Sequence, residues 1–421
     1  MLKLFAQNRN FRSLLFFSTF GGIGRGMFSI FMMWVVHALY QNPMYTGIAG
    51  FMFGAPLVAS FIFGPLVDRW NKVRVLRIVE LVKLCVVILI LVSHIFFYLG
   101  PWFIFLAILV FSIASLFGSP AFTAMLPRVV DGEDLVKANV FMNITGIAGG
   151  LGLGAGLLIL MAGEADFTWV YVINAAVLIL SVLFAVFIRS EEPATPTADD
   201  SKGAFKTYLS ELKTGLTFVK TGVMLPLVVV IVSMSFFADV AYVNFPKFAE
   251  VHLGTAFGYV LLSALALTGN LVGSYICRMV DTKFKLGKIL VMGFITAGIA
   301  RIAFVNVIPG NRTGGILIYV LYVGLASAIS IFYQVLQQKL PPKNLISRVA
   351  TTMTSLRAIA AAIGALVGGV LGTLLDVDTV FIIQGASYIA IGVLLSLSVS
   401  VRRLPKIGEL GDAEESVVSP T

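Results

Sequence analysis

The sequence predicts an all-α membrane protein, with twelve transmembrane helices in two pseudo-symmetric six-helix bundles. Three observations carry this. The 421 residues are 58% hydrophobic and 12% charged, whereas a soluble domain carries about 25% charged residues. The apolar residues gather into twelve long runs, and the basic residues between those runs are sorted onto one side.

A helix rising ~1.5 Å per residue needs about 20 mostly apolar residues to cross a ~30 Å hydrocarbon core. Twelve stretches meet that demand: 13–37, 47–67, 78–98, 102–124, 140–162, 169–188, 224–245, 257–276, 289–308, 315–336, 349–374 and 379–400. Barrel strands would be ~10 residues long and alternate in polarity, so they are excluded. The first run follows Lys3, Arg9 and Arg12. It is too long for a signal-peptide core and no small-residue cleavage site follows it, so a retained helix is expected.

Of the 30 Lys and Arg, 24 fall in the termini and the even-to-odd loops. Lys247 and Arg312 fall on the other side, and Arg25, Lys83, Arg301 and Arg357 lie inside spans. The positive-inside rule makes the crowded side cytoplasmic, and an even number of spans puts both termini there. The expectation is a multi-pass protein of a bacterial cytoplasmic membrane. The net charge of +9 is then a topology signal, and no nucleic-acid partner is expected.

The longest gap divides the chain into residues 1–189, an N-terminal six-helix bundle, and 224–401, a C-terminal one. Between them, 190–223 reads as a cytoplasmic linker. It opens on a polar, Pro-containing run from Ser190 to Asp200. Phe205, Tyr208, Leu209, Leu212, Leu216 and Val219 then share one helical face, and Lys206, Lys213 and Lys220 another. This suits a helix on the inner membrane surface, its lysines near anionic lipid, or one packed on the protein. Residues 402–421 form a polar cytoplasmic tail.

A faint repeat joins the halves. Gly64-Pro-Leu-Val-Asp68-Arg69 after the second span is matched by Gly273-Ser-Tyr-Ile-Cys277-Arg278 after the eighth. Asp134-Leu-Val136 is likewise matched by Asn344-Leu-Ile346. Both pairs are offset by about the same number of residues, which argues for duplication of a six-helix unit.

The run Gly64-Pro-Leu-Val-Asp68-Arg69-Trp-Asn71-Lys72-Val73-Arg74-Val-Leu76 resembles the signature loop between helices 2 and 3 of the major facilitator superfamily. Its pattern is Gly-x-Leu-Ala-Asp-Arg-x-Gly-Arg-Arg-x. Gly64, Leu66, Asp68, Arg69, Lys72 and Arg74 fit that pattern. Asn71 replaces the second glycine, where its tolerance of positive φ would keep the turn, and Val73 replaces a basic residue. The resemblance implies the major facilitator fold and makes Gly64, Asp68, Arg69, Lys72 and Arg74 a conformational gate. In that gate Asp68 would meet the start of the eleventh helix, near Arg348 to Thr351, where the helix dipole favours an anion. The loop from Ser119 to Asn139, with Pro120-Ala, Leu126-Pro, an acidic turn and Ala138-Asn, resembles the macrolide-efflux and enterobactin-exporter branch.

A charge inside a span costs roughly 2.5–3.5 kcal/mol, so each needs a reason. Arg25 lies ~18 Å into the first span and Asp239 ~22 Å into the seventh. In the family both helices line the central cavity, so Arg25 and Asp239 are expected to form either a switchable, proton-coupling pair or a permanent ion pair. Glu80 and Lys83, three apart on the third span, pair with each other or snorkel. Arg301 is expected to be structural, and Arg357 to serve the inner gate or packing. The tenth helix lines the family's cavity too, which makes Tyr322 and Gln334 substrate-cavity candidates beside Arg25 and Asp239.

The fifth span holds Gly146, Gly149, Gly150, Gly152, Gly154 and Gly156. Together with Gly269 and Gly273, and with Gly364, Gly368 and Gly372, these read as small residues that let helices approach closely. His37, His94 and His252 all map to the outer side and are read as unrelated surface residues rather than a metal or pH-sensing cluster. Cys85 and Cys277 lack CxxC partners, so neither a disulfide framework nor a zinc site is expected.

Together the resemblance and the buried charges imply a secondary active transporter that is not an enzyme. The expected activity is proton-coupled export of an amphiphilic small molecule, a macrolide-like drug or a siderophore, by alternating access. This would make it a multidrug-efflux antiporter, a monomer with no cofactor whose partners are substrate, protons and membrane lipids. A lysolipid flippase or a metabolite importer or uniporter is the alternative. An ATP-driven pump lacks its Gly-x-x-x-x-Gly-Lys-Ser/Thr loop. A haem-bearing subunit would need paired histidines within spans.

Overall fold

Short polar side chains set where several helices begin. In the computed structural model Asn8, Asn71, Asn311 and Asp376 each stand just before a helix and accept a hydrogen bond from a backbone N–H of its first turn. The structure describes residues 8–58, 70–130, 138, 167–188, 217, 224–280, 283–342 and 345–406. Within them the regular elements are all helices: α1 (Arg9–Tyr40), α2 (Pro43–Val58), α3 (Lys72–Phe96), α4 (Pro101–Val129), α5 (Phe167–Phe187), α6 (Met224–Tyr242), α7 (Phe245–Leu253), α8 (Ala256–Val280), α9 (Leu286–Val307), α10 (Arg312–Lys339), α11 (Ile346–Leu374), α12 (Val377–Leu397) and α13 (Val399–Arg402).

Among the described residues, nine helices are long and apolar enough to cross a membrane. Eleven of the twelve predicted spans fall on helices over their described residues, the second over 47–58 alone; the remaining one, 140–162 with its glycines, lies outside the described residues. So do all of the linker but Thr217, and the tail beyond Lys406. The predicted seventh span, 224–245, differs. α6 stops at Tyr242 and α7 restarts at Phe245, with Pro246 in its first turn. Proline lacks the N–H that a continuous helix would need there. Gly254, at φ +80°, closes α7 in a conformation that suits glycine.

Asn71 also works differently from the sequence reading. Its φ is −63°, and it serves as the N-cap of α3 by accepting from the Arg74 N–H at 2.9 Å. Asp376 does the same for α12, taking 2.8 Å and 2.9 Å bonds from the Thr379 N–H and hydroxyl. These bonds hold its carboxyl below the usual carboxylate range. A depressed folded-state pKa stabilises above the unfolded value, and the benefit is lost as pH falls through the folded one. Asp376→Ala is therefore expected to cost about 1 kcal/mol at neutral pH. In thermal unfolding scans the gap from wild type should narrow below about pH 4. Asp376→Asn, which keeps the cap, should show neither effect; a gap that persists unchanged into acid would contradict this.

The chain forms two compact units. The first comprises Met1–Gln41, Met52–Ala204 and Thr255–Ala264; the second comprises Asn42–Phe51, Phe205–Gly254 and Leu265–Thr421. In the first, α1 lies on α5 and α4, and α3 lies on α4 and α5. Its core joins Phe11, Leu14 and Phe17 of α1 to Leu76 and Val79 of α3 and Met125 and Leu126 of α4. In a bilayer apolar contact alone does not drive helices together, so close packing and hydrogen bonds decide. Gly24 lets α1 reach α5, where Asn174 donates to the Gly24 carbonyl at 3.0 Å. The Arg77 guanidinium donates to the carbonyls of Ala185, Val186 and Ile188 at 2.9–3.0 Å. Those carbonyls lie at or just past the C-terminal end of α5, where a cation adds donors to the last turn and complements the helix dipole.

In the second unit α9 packs on α12 and α10, and α6 on α11. The predicted small-residue seams are present here. Gly364, Gly368 and Gly372 of α11 lie against the backbone of Phe236 and Val240 and the side chain of Asn244, so a Cβ at any of the three would collide. Gly269 and Gly273 of α8 lie in the same way on Val323, Gly324 and Ser327 of α10. Large side chains such as Leu271, Leu394, Phe96 and Trp102 remain 64–77% exposed, as expected of a surface that faces lipid and its interfaces.

Candidate functional site

The α6–α11 seam carries the site. Ser235 and Asp239 are one turn apart on α6 and so share a face. Opposite them on α11, Arg357 donates from Nε to the Ser235 hydroxyl at 3.3 Å, and it lies close enough to Asp239 for their charges to interact. Ser235 is ~16 Å past the start of α6 and Asp239 ~22 Å. In the register set by Gly364 on Phe236 and Gly368 on Val240, the Arg357 backbone lies ~9 Å before Ser235, and its long side chain spans the difference. All three side chains are half-buried. Two groups fix the seam above them: the Asn244 amide donates to the carbonyls of Val240 and Gly368 at 2.9 and 2.8 Å, and Lys247 to that of Gly372 at 3.2 Å.

This arrangement places a titratable carboxylate near the middle of a span, beside a cation that a hydroxyl holds in place. Protonation of Asp239 removes its attraction for Arg357. The sequence reading singled out Asp239 but assigned Arg357 to gating or packing. The two are more than 100 residues apart, and the sequence carries no spacing signal to join them.

The other expected residues are placed as follows. Arg25 is exposed on α1 in the first unit. Gln334 is exposed on α10, whereas Tyr322 is buried, its hydroxyl accepting from the Gln384 amide at 3.0 Å. Lys72 is buried at the start of α3 and Arg74 is exposed. Gly64, Asp68 and Arg69 lie outside the described residues. Glu80 and Lys83 form a buried ion pair, so Lys83 does not snorkel. His252 is paired at 2.6 Å with Asp378, and His37 is buried. No three His, Cys, Asp or Glu side chains gather as a metal site among the described residues.

Arg301 is caged instead of accessible. It is 3% exposed, and its guanidinium carbon sits 4.2 Å from the Phe381 ring centroid, 4.6 Å from Tyr322 and 5.5 Å from Phe304. Its Nε and Nη1 have no hydrogen-bond partner among the described residues. Ring faces return about 2 kcal/mol to a desolvated cation, less than the several kcal/mol that burial costs. Arg301→Met is therefore expected to unfold at or above the wild-type temperature, and Arg301→Ala, which leaves a void, below it. A Met variant as unstable as the Ala variant would show that the charge itself is required.

An apolar crevice of about 370 Å³ lies between α6 and α12, lined by Leu225, Pro226, Val229, Val230, Ile391 and Leu394 among others. It carries no titratable group.

Residues 14–365 match the family model described as Major Facilitator Superfamily. No curated protein sequence matches the chain. Among solved structures, the nucleoside transporter NupG superposes with a TM-score of 0.72 at 14% identity, covering 94% of this chain and 99% of that one. A bacterial homolog to the human lysosomal transporter Spinster, in an inward-facing and unoccupied conformation, gives 0.67 at 12% identity, covering 98% of each chain. A D-xylose-proton symporter gives 0.66 at 14% identity, covering 95% and 98%. At these identities the likeness is one of fold, which a nucleoside transporter and a sugar symporter share.

Proposed function

This chain belongs to the Major Facilitator Superfamily, and on that premise we propose that it is a proton-coupled exporter of an amphiphilic small molecule. It works as a monomer by alternating access in a bacterial cytoplasmic membrane, with both termini cytoplasmic. The observation that carries the coupling is the mid-span carboxylate of Asp239 facing Arg357 across the α6–α11 seam. Ionised, Asp239 holds Arg357 beside Ser235. Protonated, it leaves Arg357 to an anionic or polar group of the substrate, so proton and substrate are bound in alternation. Arg25 on α1 and Gln334 on α10, both exposed, are kept as substrate-contact candidates on the resemblance alone. Export, and a macrolide-like or siderophore substrate, rest on the resemblance of the 119–139 loop. The gate at Gly64, Asp68, Arg69, Lys72 and Arg74 rests on the motif.

The test uses inside-out membrane vesicles with an acidic interior and a pH-sensitive dye. A macrolide, a cationic dye and a catecholate siderophore are added in turn to wild type and Asp239→Asn. Collapse of the gradient by one compound, in wild type alone, supports the proposal and names the substrate class. No collapse by any of them, with folded protein present, refutes proton-coupled export of these classes. The second reading, lysolipid flipping, draws on the apolar crevice between α6 and α12, where Leu225, Val229 and Leu394 are 45–64% exposed. Movement of a fluorescent lysolipid between leaflets of the same vesicles would favour it.

A further inference from the structure

The first unit contains a buried carboxylate that the coupling scheme above does not use. Glu80 and Lys83 of α3 are 3% and 4% exposed and form an ion pair through Glu80 Oε1. The other oxygen, Oε2, is buried with no hydrogen-bond partner among the described residues. α1 and α5 close over it. A Cβ on Gly21 would stand 3.2 Å from Glu80 Oε1 and 3.1 Å from the Ser181 hydroxyl. Ser181 gives its own proton to the Phe17 carbonyl at 3.2 Å and has none left for Glu80. Lys83 lies 5.9 Å from the centroid of the Phe111 ring on α4. Arg25 of α1 is close enough to Lys83 for the two cations to repel. It is exposed and has no hydrogen bond or ion pair to any described residue.

The charged groups facing Glu80 among the described residues are thus Lys83 on its own helix and, beyond it, Arg25 on α1; α4 presents a ring and α5 a hydroxyl already in use. A permanent structural pair repays its desolvation only when the remaining lone pairs are also satisfied. Here one oxygen has no partner among the described residues, while a second, exposed cation lies nearby. A proton is the one ligand that needs no cavity. On Oε2 it neutralises the carboxylate, removes the orphaned acceptor and releases Lys83 from its counter-ion.

We propose that Glu80 is a proton-binding site of the first unit, separate from Asp239, and that its ionised carboxylate exchanges between Lys83 and Arg25. One proton is taken from water on the accessible Arg25 side, forming the Glu80 O–H bond and breaking the Lys83 ion pair; deprotonation restores it. Each unit then contains a proton-binding carboxylate within a span, Glu80 in the first and Asp239 in the second.

The proton itself is the probe. Full-length protein in liposomes on a capacitive sensor receives a pH jump, and the charge displaced is recorded against empty liposomes. Glu80→Gln and Asp239→Asn are each expected to lose roughly half of that charge, and the double variant nearly all of it. Wild-type charge in Glu80→Gln, or complete loss in Asp239→Asn alone, overturns the proposal. Loss confined to Glu80→Gln would leave it standing and refute Asp239 as the coupling site. Should Glu80→Gln fail to fold, Glu80→Gln with Lys83→Met removes both charges together, as a buried pair tolerates, and must show the same loss. Arg25→Gln, on the accessible side, should change the charge displaced by the Glu80 component and leave the Asp239 component in place. An unchanged Glu80 component removes Arg25 from the scheme and contradicts the proposal as stated.

Discussion

Asp239→Asn is expected to slow proton-driven substrate movement at least about 100-fold, equivalent to ~2.7 kcal/mol, while the protein still folds and still exchanges substrate across the membrane. Asparagine matches the carboxylate in size and accepts hydrogen bonds but takes up no proton at physiological pH. Substrate counterflow, in which no net proton crosses, should stay within about twofold of wild type, because the proposed substrate contacts Arg25 and Gln334 are untouched. The contrast between the two assays is the diagnostic. Equal loss in both would make Asp239 a structural or substrate-binding residue, and loss in neither would remove it from the mechanism. Arg357→Gln complements the test by leaving the carboxylate and removing the cation that Ser235 holds. It should uncouple as well, since the seam would then contain a charge with nothing to respond to it.

Gly368→Val is expected to destabilise the second unit by about 3 kcal/mol, the upper range for overpacking a filled interior. A Cβ at Gly368 would stand 2.5 Å from the Val240 carbonyl oxygen and 2.7 Å from its Cα. These are backbone atoms, and they have little freedom to retreat. The Asn244 amide ties Val240 and Gly368 to each other, and Lys247 ties α7 to Gly372. The strain would also carry Arg357 away from Ser235 and Asp239, so coupling should fail along with stability. Gly100→Ala and Gly310→Ala are the controls, because no described residue lies within 4 Å of a Cβ at either position. If thermal unfolding in detergent gave all three variants the same midpoint, the seam would be looser than its geometry indicates.

Much of the fold was legible without coordinates. The α6–α11 glycines are a good example, since their four-residue spacing places them on one helical stripe whatever the partner helix. Asn311 and Asp376 are also recognisable as caps by type and position. α7 was hidden because a hydropathy window runs straight through Asn244-Phe-Pro246, even though proline forbids a continuous helix there. Arg77 was sorted as a loop cation because charge counting registers only the side of the membrane. The carbonyls that Arg77 caps belong to a helix end more than 100 residues later.

The sequence by itself determined the membrane class, the near-complete set of spans, the stripes of small residues and the few charges that require explanation. Length, polarity and spacing are local properties, and each can be read along one strip of chain. Only the tertiary structure decided what those charges meet: Arg357 beside Asp239, aromatic rings around Arg301, and burial with one idle oxygen for Glu80. The physical reason is that a membrane helix is apolar nearly all round. Lipid and protein interior are equally good solvents for Leu and Val, so no hydrophobic face marks which side turns inward. The facing of each charge is settled by where glycines and hydrogen bonds let the backbones approach, and that is known only when the helices are together.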